Sequence, residues 1–399
     1  MISSLSELKS QSDRIVDRDI GLPARHFLAL ARDGRKLYSG FAGTRAIGSD
    51  QPINDNTIYW IASCTKILTA ICALICVDRG LVALDQDVLP DLPELARQPV
   101  RVGRDGDQWK YAPLKGPITL RQLLTHTSGV SYPSVENIAA VAPTIPFGTE
   151  PFMTASMKEV AGPFDAQPGE KWAYGSGIDW AGILVEKLTG MSLGDFLRHN
   201  VAEPCGVSDI SFILSPDMKR RHAGQHFRLP DGRVIPRGPI ISEDVQVHLG
   251  GAGAYSTVDA FGQILLILIN DGKHPITNKQ ILTPSSTREI LAAQLNESQL
   301  KDLNGPSIAV NGAVIQPGIE KQWGLSCLLN PKGAPTGRGN GAATWAGFAN
   351  THWMADPTKG VVMLCFSQVI PQEDPLLLAA KDEWETLVYQ YLSKHTQRV

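Results

Sequence analysis

Long hydrophobic runs are missing from this chain of 399 residues. The longest uninterrupted aliphatic stretch, Ile264 to Ile269, is far short of the roughly 20 apolar residues that carry a helix across a bilayer, so no membrane span is expected. The N-terminal residues show no basic segment followed by an apolar one, which gives no secretory signal and makes the cytoplasm the expected location. A large excess of either charge sign is lacking too, with 37 Lys and Arg against 40 Asp and Glu. A net charge of -3 offers no general attraction to a phosphate backbone, so no nucleic-acid partner is expected. Cysteine is sparse, six in all, with no C-x-x-C pair and no cysteine–histidine cluster; free thiols are expected rather than disulfides or zinc. His222 and His226 have helical metal-ligand spacing, but Gly224 intervenes and no carboxylate partner is evident, so they read as surface histidines and no metal is expected. There is no G-x-S-x-G elbow, which argues against the commonest intracellular esterase architecture. Gly250-Gly251-Ala252-Gly253 follows no strand of parallel-sheet pattern and so is no dinucleotide fingerprint. No cofactor is implied.

What is present describes an ordinary globular protein, with 43 % hydrophobic and 19 % charged residues. Ser3 to Asp19 reads as a polar surface helix. His26–Leu30 and Lys36–Phe41 read as a β-hairpin, with a third strand at Thr57–Ile61. A helix from Thr65 should stop at Gly80, and Pro90–Pro117 reads as an irregular surface excursion. Thr119–Leu124 opens a short helix into Thr125-His126-Thr127-Ser128-Gly129, where His126 either braces the turn or takes part in chemistry. Residues 131–169 are rich in proline and aromatics, including Tyr132, and form either a pocket cover or an irregular wall. Helices at Ile178–Leu188, Leu193–Val201 and Thr257–Asn270 precede strands at Trp323–Leu329, Thr344–Phe348, Thr351–Ala355 and Val361–Gln368, then a terminal helix from Pro375. Strands at both ends with helices between imply one sheet built from both termini: residues 1–80 and 245–399 as an α/β sheet domain, and 81–244 as a mostly helical lobe, with the active site between them.

One helix start breaks the capping rules. Ser63-Cys64-Thr65-Lys66 reads as a serine N-cap followed by a lysine, where Glu or Gln is usual because the N-terminal end of the macrodipole disfavours a cation. The apolar run Ile67–Val77 implies burial of that helix. Desolvation and dipole then both favour the neutral amine, which can take a proton from a hydroxyl. Ser6-Glu7-Leu8-Lys9 has the same spacing but lies in the polar N-terminal stretch and is a decoy.

Ser63-x-x-Lys66, then Tyr174-Gly175-Ser176-Gly177-Ile178-Asp179-Trp180-Ala181-Gly182, then Thr344-Trp345-Ala346-Gly347-Phe348 together resemble the three motifs of the serine β-lactamase and penicillin-binding-protein superfamily. Ile118 to Gly129 and Gly250 to Gly253 extend the likeness over most of the chain. It is nearest to the class C-like (family VIII) esterase/acyltransferase branch, including fungal lovastatin-type acyltransferases. The resemblance implies an α/β (α+β) β-lactamase/transpeptidase-like fold, an antiparallel sheet flanked by helices. It implies Ser63 as nucleophile and Lys66 with Tyr174 as the pair that moves its proton, without deciding which is the base. It assigns the oxyanion to the backbone N–H groups of Ser63 and Phe348. Trp345, Ala346, Gly347, Ser176, Tyr132 and Trp172 are candidate substrate contacts. Two departures narrow the substrate: Trp345 stands where a cation usually holds an anionic group, and Ser176 replaces the usual asparagine. An aromatic wall for an apolar group is expected.

The expected activity is transfer or hydrolysis of an ester or thioester acyl group of a small, apolar, polyketide-like metabolite of secondary metabolism. An alcohol or water is the acceptor, and an acyl-carrier protein or CoA is a further candidate donor. The alternatives are a simple carboxylesterase, then a β-lactamase or D-Ala-D-Ala-type peptidase, then a noncatalytic binding protein. Retention of both Ser63 and Lys66 argues against the last.

Overall fold

Residues 2–132, 150–151, 153–305 and 318–395 are described by a computed structural model. Helix α1 (Leu5–Asp17) begins at Ser4, whose hydroxyl accepts the Glu7 amide at 3.1 Å. Ser6 and Lys9 are exposed, as a decoy should be, but Leu8, Ile15 and Val16 are buried, so α1 is amphipathic rather than wholly solvated. The hairpin is β1 (Ala24–Ala31) with β2 (Lys36–Gly43). Helix α2 (Thr65–Asp78) is buried from Thr65 to Cys76 and is followed by Gly80 at φ +69°, the left-handed geometry that ends many helices.

The excursion expected to be irregular contains an antiparallel hairpin, β3 (Val100–Asp105) and β4 (Gln108–Ala112), turned at Asp105-Gly106-Asp107 with Gly106 at φ +59°. Helix α3 (Leu120–Leu124) starts with a capping box between Thr119 and Gln122. Helix α4 (Gly177–Thr189) ends at Gly190, also left-handed. Helix α5 (Val258–Leu265) tightens into a 3-10 turn over Leu266–Ile269. The last third supplies β5 (Gln322–Trp323), β6 (Leu328–Asn330), β7 (Ala342–Gly347), β8 (Thr351–Asp356), β9 (Val361–Phe366) and α6 (Pro375–His395). Segment 81–244, expected to be mostly helical, also holds a second hairpin, Gln225–Arg228 with Val234–Arg237.

Strand order is β5-β6-β7-β8-β9-β1-β2, each neighbour antiparallel, so the two ends of the chain meet where β9 pairs with β1. The third strand expected at Thr57–Ile61 shrinks to Tyr59–Trp60, which pairs with Tyr255–Ser256 instead of joining the sheet. Alternation splits β1 between two cores. Phe27 and Ala29 pack with Leu8, Trp384 and Val388 under α1 and α6, while Leu28 and Leu30 pack with Phe261, Ile264 and the α2 core. Both faces being covered, β9 carries six buried residues in succession. Each fully buried Leu or Phe contributes about 1.5–3 kcal/mol, so the sheet is a rigid support for the residues at its β7 side. Part of the proline-rich segment expected to form a pocket cover or an irregular wall, residues 133–149 and 152, lies outside the described residues. Among the described residues no helix is long and apolar enough to cross a membrane.

Candidate active site

Ser63 is not the N-cap of α2. It lies in a 3-10 turn, Ala62–Cys64, and Cys64 occupies the cap position without a side-chain cap bond. Ala62 is at φ +45°, a conformation that costs a non-glycine residue on the order of 1 kcal/mol or more and persists only where the surroundings impose it. Those surroundings are identifiable. The Ile61 amide donates to Ala254 O at 3.0 Å, the Thr65 hydroxyl donates to Ala62 O at 2.6 Å and accepts from the Ala254 amide at 3.1 Å, and the Thr351 hydroxyl donates to Ile61 O at 3.1 Å. The turn sets Ser63 half-exposed while Lys66, three residues on, is only 1 % exposed.

Two donors converge on Ser63 Oγ: Tyr174 OH at 2.9 Å and Lys66 Nζ at 3.2 Å. Lys66 also donates to Tyr132 OH at 3.1 Å and to the Gly251 carbonyl at 2.7 Å, so Nζ is surrounded by three acceptors. Nζ lies 4.7 Å from the centre of the Tyr174 ring. Neighbouring Cys64 is no competitor as nucleophile: burial pushes its thiol up to about 12, and its sulfur contacts Thr351.

Tyr174 is fixed by rings. His126 is 4.5 Å from it, Trp345 5.5 Å and Tyr132 5.9 Å, centre to centre, with Trp172 and Trp323 packed behind. His126 is buried, and burial together with the Lys66 charge holds its pKa well below the usual histidine value. Its Nδ1 accepts the Gly175 amide at 3.3 Å. That spends the lone pair a base would need, and His126 braces the turn beside Tyr174.

The remaining sequence candidates divide. Tyr132, expected to touch substrate, has its hydroxyl between Lys66 and the buried carboxylate of Asp179. Ser176 is fully buried, with its hydroxyl directed at Val160 O (2.9 Å) and Ser131 O (3.1 Å), so it braces the backbone and faces no pocket. Trp345 and Trp172 are 2 % and 3 % exposed and Ala346 is buried, so the expected aromatic wall is a core cluster backing Tyr174. Gly347 was expected to admit substrate. Its absent side chain instead admits the nucleophile turn: a Cβ there would lie 2.6 Å from Ile61 O and 3.0 Å from Ala62 Cβ. Gly347 therefore holds the Gly347–Phe348 step against Ala62–Ser63.

A cavity of about 750 Å³ opens in front of Tyr132 and Tyr174. Its wall mixes apolar and charged groups, with Arg101 and Trp109 from the β3–β4 hairpin and Lys115, Lys171, Asp165 and Glu170 from the loops. That hairpin went unread in the sequence, although Asp105-Gly106 between alternating residues is a hairpin signal. Asp179 was also missed as a functional group. A lone carboxylate in the apolar run from Ile178 to Val185 was its signal, of the same kind as Lys66 on α2. His226 is buried, its Nε2 accepting the Ile47 amide at 3.1 Å, so it is no surface residue; burial lowers both His222 and His226 to about 4. Among the described residues no cluster of ligating side chains could hold a metal ion, and all six cysteines are free and buried.

Comparison with known proteins identifies the family and the fold. A family model described as Beta-lactamase matches residues 26–383. The chain is 32 % identical over 379 residues to the monacolin J acid methylbutanoyltransferase of Aspergillus terreus, covering 90 % of each. It is 29 % identical over 381 residues to the lovastatin esterase of Penicillium rubens, covering 90 % of this chain and 92 % of the esterase. Unliganded simvastatin synthase from Aspergillus terreus superposes with a TM-score of 0.82 at 30 % identity, covering 98 % of this chain and all of the other.

Proposed function

Since the chain belongs to the β-lactamase family and is an enzyme akin to its acyltransferases and esterases, we propose that it is a serine acyl-enzyme catalyst with Ser63 as nucleophile and Lys66 and Tyr174 as the proton-transfer pair. The observation that carries the reading is the convergence of Tyr174 OH and Lys66 Nζ on Ser63 Oγ, at 2.9 and 3.2 Å. Ser63 Oγ bonds to the acyl carbon while its proton passes to the pair. The tetrahedral oxyanion is held by the Ser63 and Phe348 amides, each such donor being worth about 2.7–4 kcal/mol of barrier. Collapse breaks the bond to the leaving oxygen or sulfur, which takes the proton. An acceptor alcohol or water then gives its proton to the same pair, attacks the acyl carbon and returns Ser63 to the hydroxyl.

The donor we propose is an ester or thioester, an acyl-carrier protein or CoA thioester included, and the acceptor a hydroxyl of a small polyketide-like metabolite. The named relatives, transferases and an esterase, support acyl chemistry of this kind. Residues 1–80 with 245–399, and 81–244, are the proposed two units around the site, and the cytoplasm is the proposed location. An activated ester is expected to leave an acyl mass on Ser63 that is absent in Ser63→Ala; labelling that persists at another residue defeats the assignment. With alcohol acceptors present, a new ester establishes transfer, whereas free acid alone establishes hydrolysis. Nitrocefin is expected to turn over far more slowly than esters, because Trp345 is uncharged.

A further inference from the structure

Asp179 is a buried carboxylate in the first turns of α4, where every residue from Gly177 to Val185 is buried. Such a group persists only where hydrogen bonds and a counter-charge compensate for lost water. Its Oδ1 accepts the Gly251 amide at 2.8 Å, and its Oδ2 accepts the Tyr132 hydroxyl at 3.2 Å. Both partners lead to one nitrogen. Tyr132 OH accepts from Lys66 Nζ at 3.1 Å, and the carbonyl of the same Gly251 accepts from it at 2.7 Å. Two of the three Lys66 hydrogen bonds thus end on groups that Asp179 holds, and the third ends on Ser63. The fit leaves no slack: a Cβ on Gly251 would lie 2.5 Å from Asp179 Oδ2 and 2.6 Å from Tyr132 OH.

Resting on the Ser63/Lys66/Tyr174 reading above, we propose that Asp179 is a positioning residue that aims Lys66 at Ser63 through Tyr132 and Gly251, its negative charge strengthening the proton-accepting pair. The charged, titratable and reacting groups around the Lys66 nitrogen are Ser63 and the buried thiol of Cys64 from the turn before α2, His126 and Tyr132 from the segment after α3, Tyr174 before α4, and Asp179 on α4. His126 is neutral by its burial. Tyr132 stays a neutral phenol, because burial and the Asp179 charge raise its pKa well above the usual value. Burial raises the pKa of Asp179, and Lys66, the Gly251 amide and Tyr132 act against that rise. Removing a negative charge makes the pair give up its proton more readily, whichever of Lys66 and Tyr174 carries it. The base weakens with it.

The test is the pH dependence of acylation by a p-nitrophenyl ester, in wild type, Asp179→Asn and Tyr132→Phe, with folding checked by circular dichroism. Since the carboxylate is one hydroxyl removed from Lys66 Nζ, through contacts of 3.2 and 3.1 Å, Asp179→Asn is expected to move the acidic limb down by about one to two pH units and to lower the plateau at least about tenfold. A damaged scaffold would lower the plateau without moving the limb. Tyr132→Phe, which keeps the carboxylate and deletes the bridge, is expected to lower the plateau by about tenfold with a smaller limb displacement. An unmoved or upward-moved limb in Asp179→Asn overturns the proposal, as does a plateau within about twofold of wild type in both variants. If wild type itself forms no Ser63 adduct, the proposed function fails instead.

Discussion

Tyr174→Phe isolates the chemistry of the site from its packing. The substitution deletes one oxygen, 2.9 Å from Ser63 Oγ, and keeps the ring that His126 and Trp345 hold at 4.5 and 5.5 Å. If that phenol shares the proton of Ser63, its loss removes general acid–base assistance, typically about 10²- to 10⁴-fold. At about 1.36 kcal/mol per decade this is about 2.7–5.4 kcal/mol of barrier. Stability is expected to change far less, since one hydrogen bond to a half-exposed hydroxyl is worth about 1 kcal/mol. Stopped-flow measurement of the p-nitrophenol burst gives the acylation rate, and urea denaturation gives the stability. The expected pattern is a collapsed burst rate with an almost unchanged unfolding midpoint and KM. A burst within about threefold of wild type would show that Lys66 alone handles the proton and would refute the pairing.

Gly347→Ala is expected to displace the nucleophile turn, because the new methyl meets the Ile61 carbonyl, which is backbone and moves only with Ala62 and Ser63. A loss of about 10²-fold in acylation, with destabilisation of about 1–3 kcal/mol, is the outcome to look for by burst kinetics and denaturation. Glu385→Gln tests the opposite side of the sheet, where the carboxylate is buried against Arg338 at 2.7 Å, and is expected to cost about 3–5 kcal/mol with kcat unchanged. Burial opposes the Glu385 charge, but Arg338 and Lys381 hold its pKa down to about 2. This contribution to wild-type stability is therefore complete above the unfolded carboxylate value and is lost as pH falls from about 4.5 towards 2; in the variant, denaturation across that window should lack this part of the acid slope.

The residues legible in the sequence were those whose chemistry contradicted their surroundings. Lys66 was visible because a cation at the start of an apolar helix needs a partner, and Tyr174 because its motif follows Ser63 at the spacing of a known constellation. Asp179 carried the same kind of contradiction on α4 but was absorbed into that motif as one letter among nine. The helix end at Gly80 was legible from local turn chemistry, since a left-handed residue after a periodic run is a local requirement. Roles set by long-range packing were not legible. Ser176 and Asp179 are both polar residues in an apolar stretch, and only the fold reveals that one meets two backbone carbonyls and the other a tyrosine wired to Lys66. Trp345 suggested a substrate wall because a strand tryptophan can face a pocket, and the sequence does not say that it packs against Tyr174 and Trp323 instead.

That packing explains how the site accommodates losing the cation and the asparagine usual in its second and third motifs. In the family pattern those two groups contact the substrate. In this chain backbone and aromatic groups hold Lys66 and Tyr174. Lys66 is held from beneath by Gly251 and Tyr132. Tyr174 is held from behind by His126, Trp172 and Trp345, flat side chains with few rotamers that fix a phenol at small entropic cost. Charge along the cavity wall is of both signs, on Arg101, Lys115 and Lys171 and on Asp165 and Glu170, with Arg101 paired to Asp165 at 3.1 Å. Changes along that wall should therefore alter which donors and acceptors are used while the acylation rate with a small activated ester stays near that of wild type, whereas changes behind Tyr174 should slow every substrate alike.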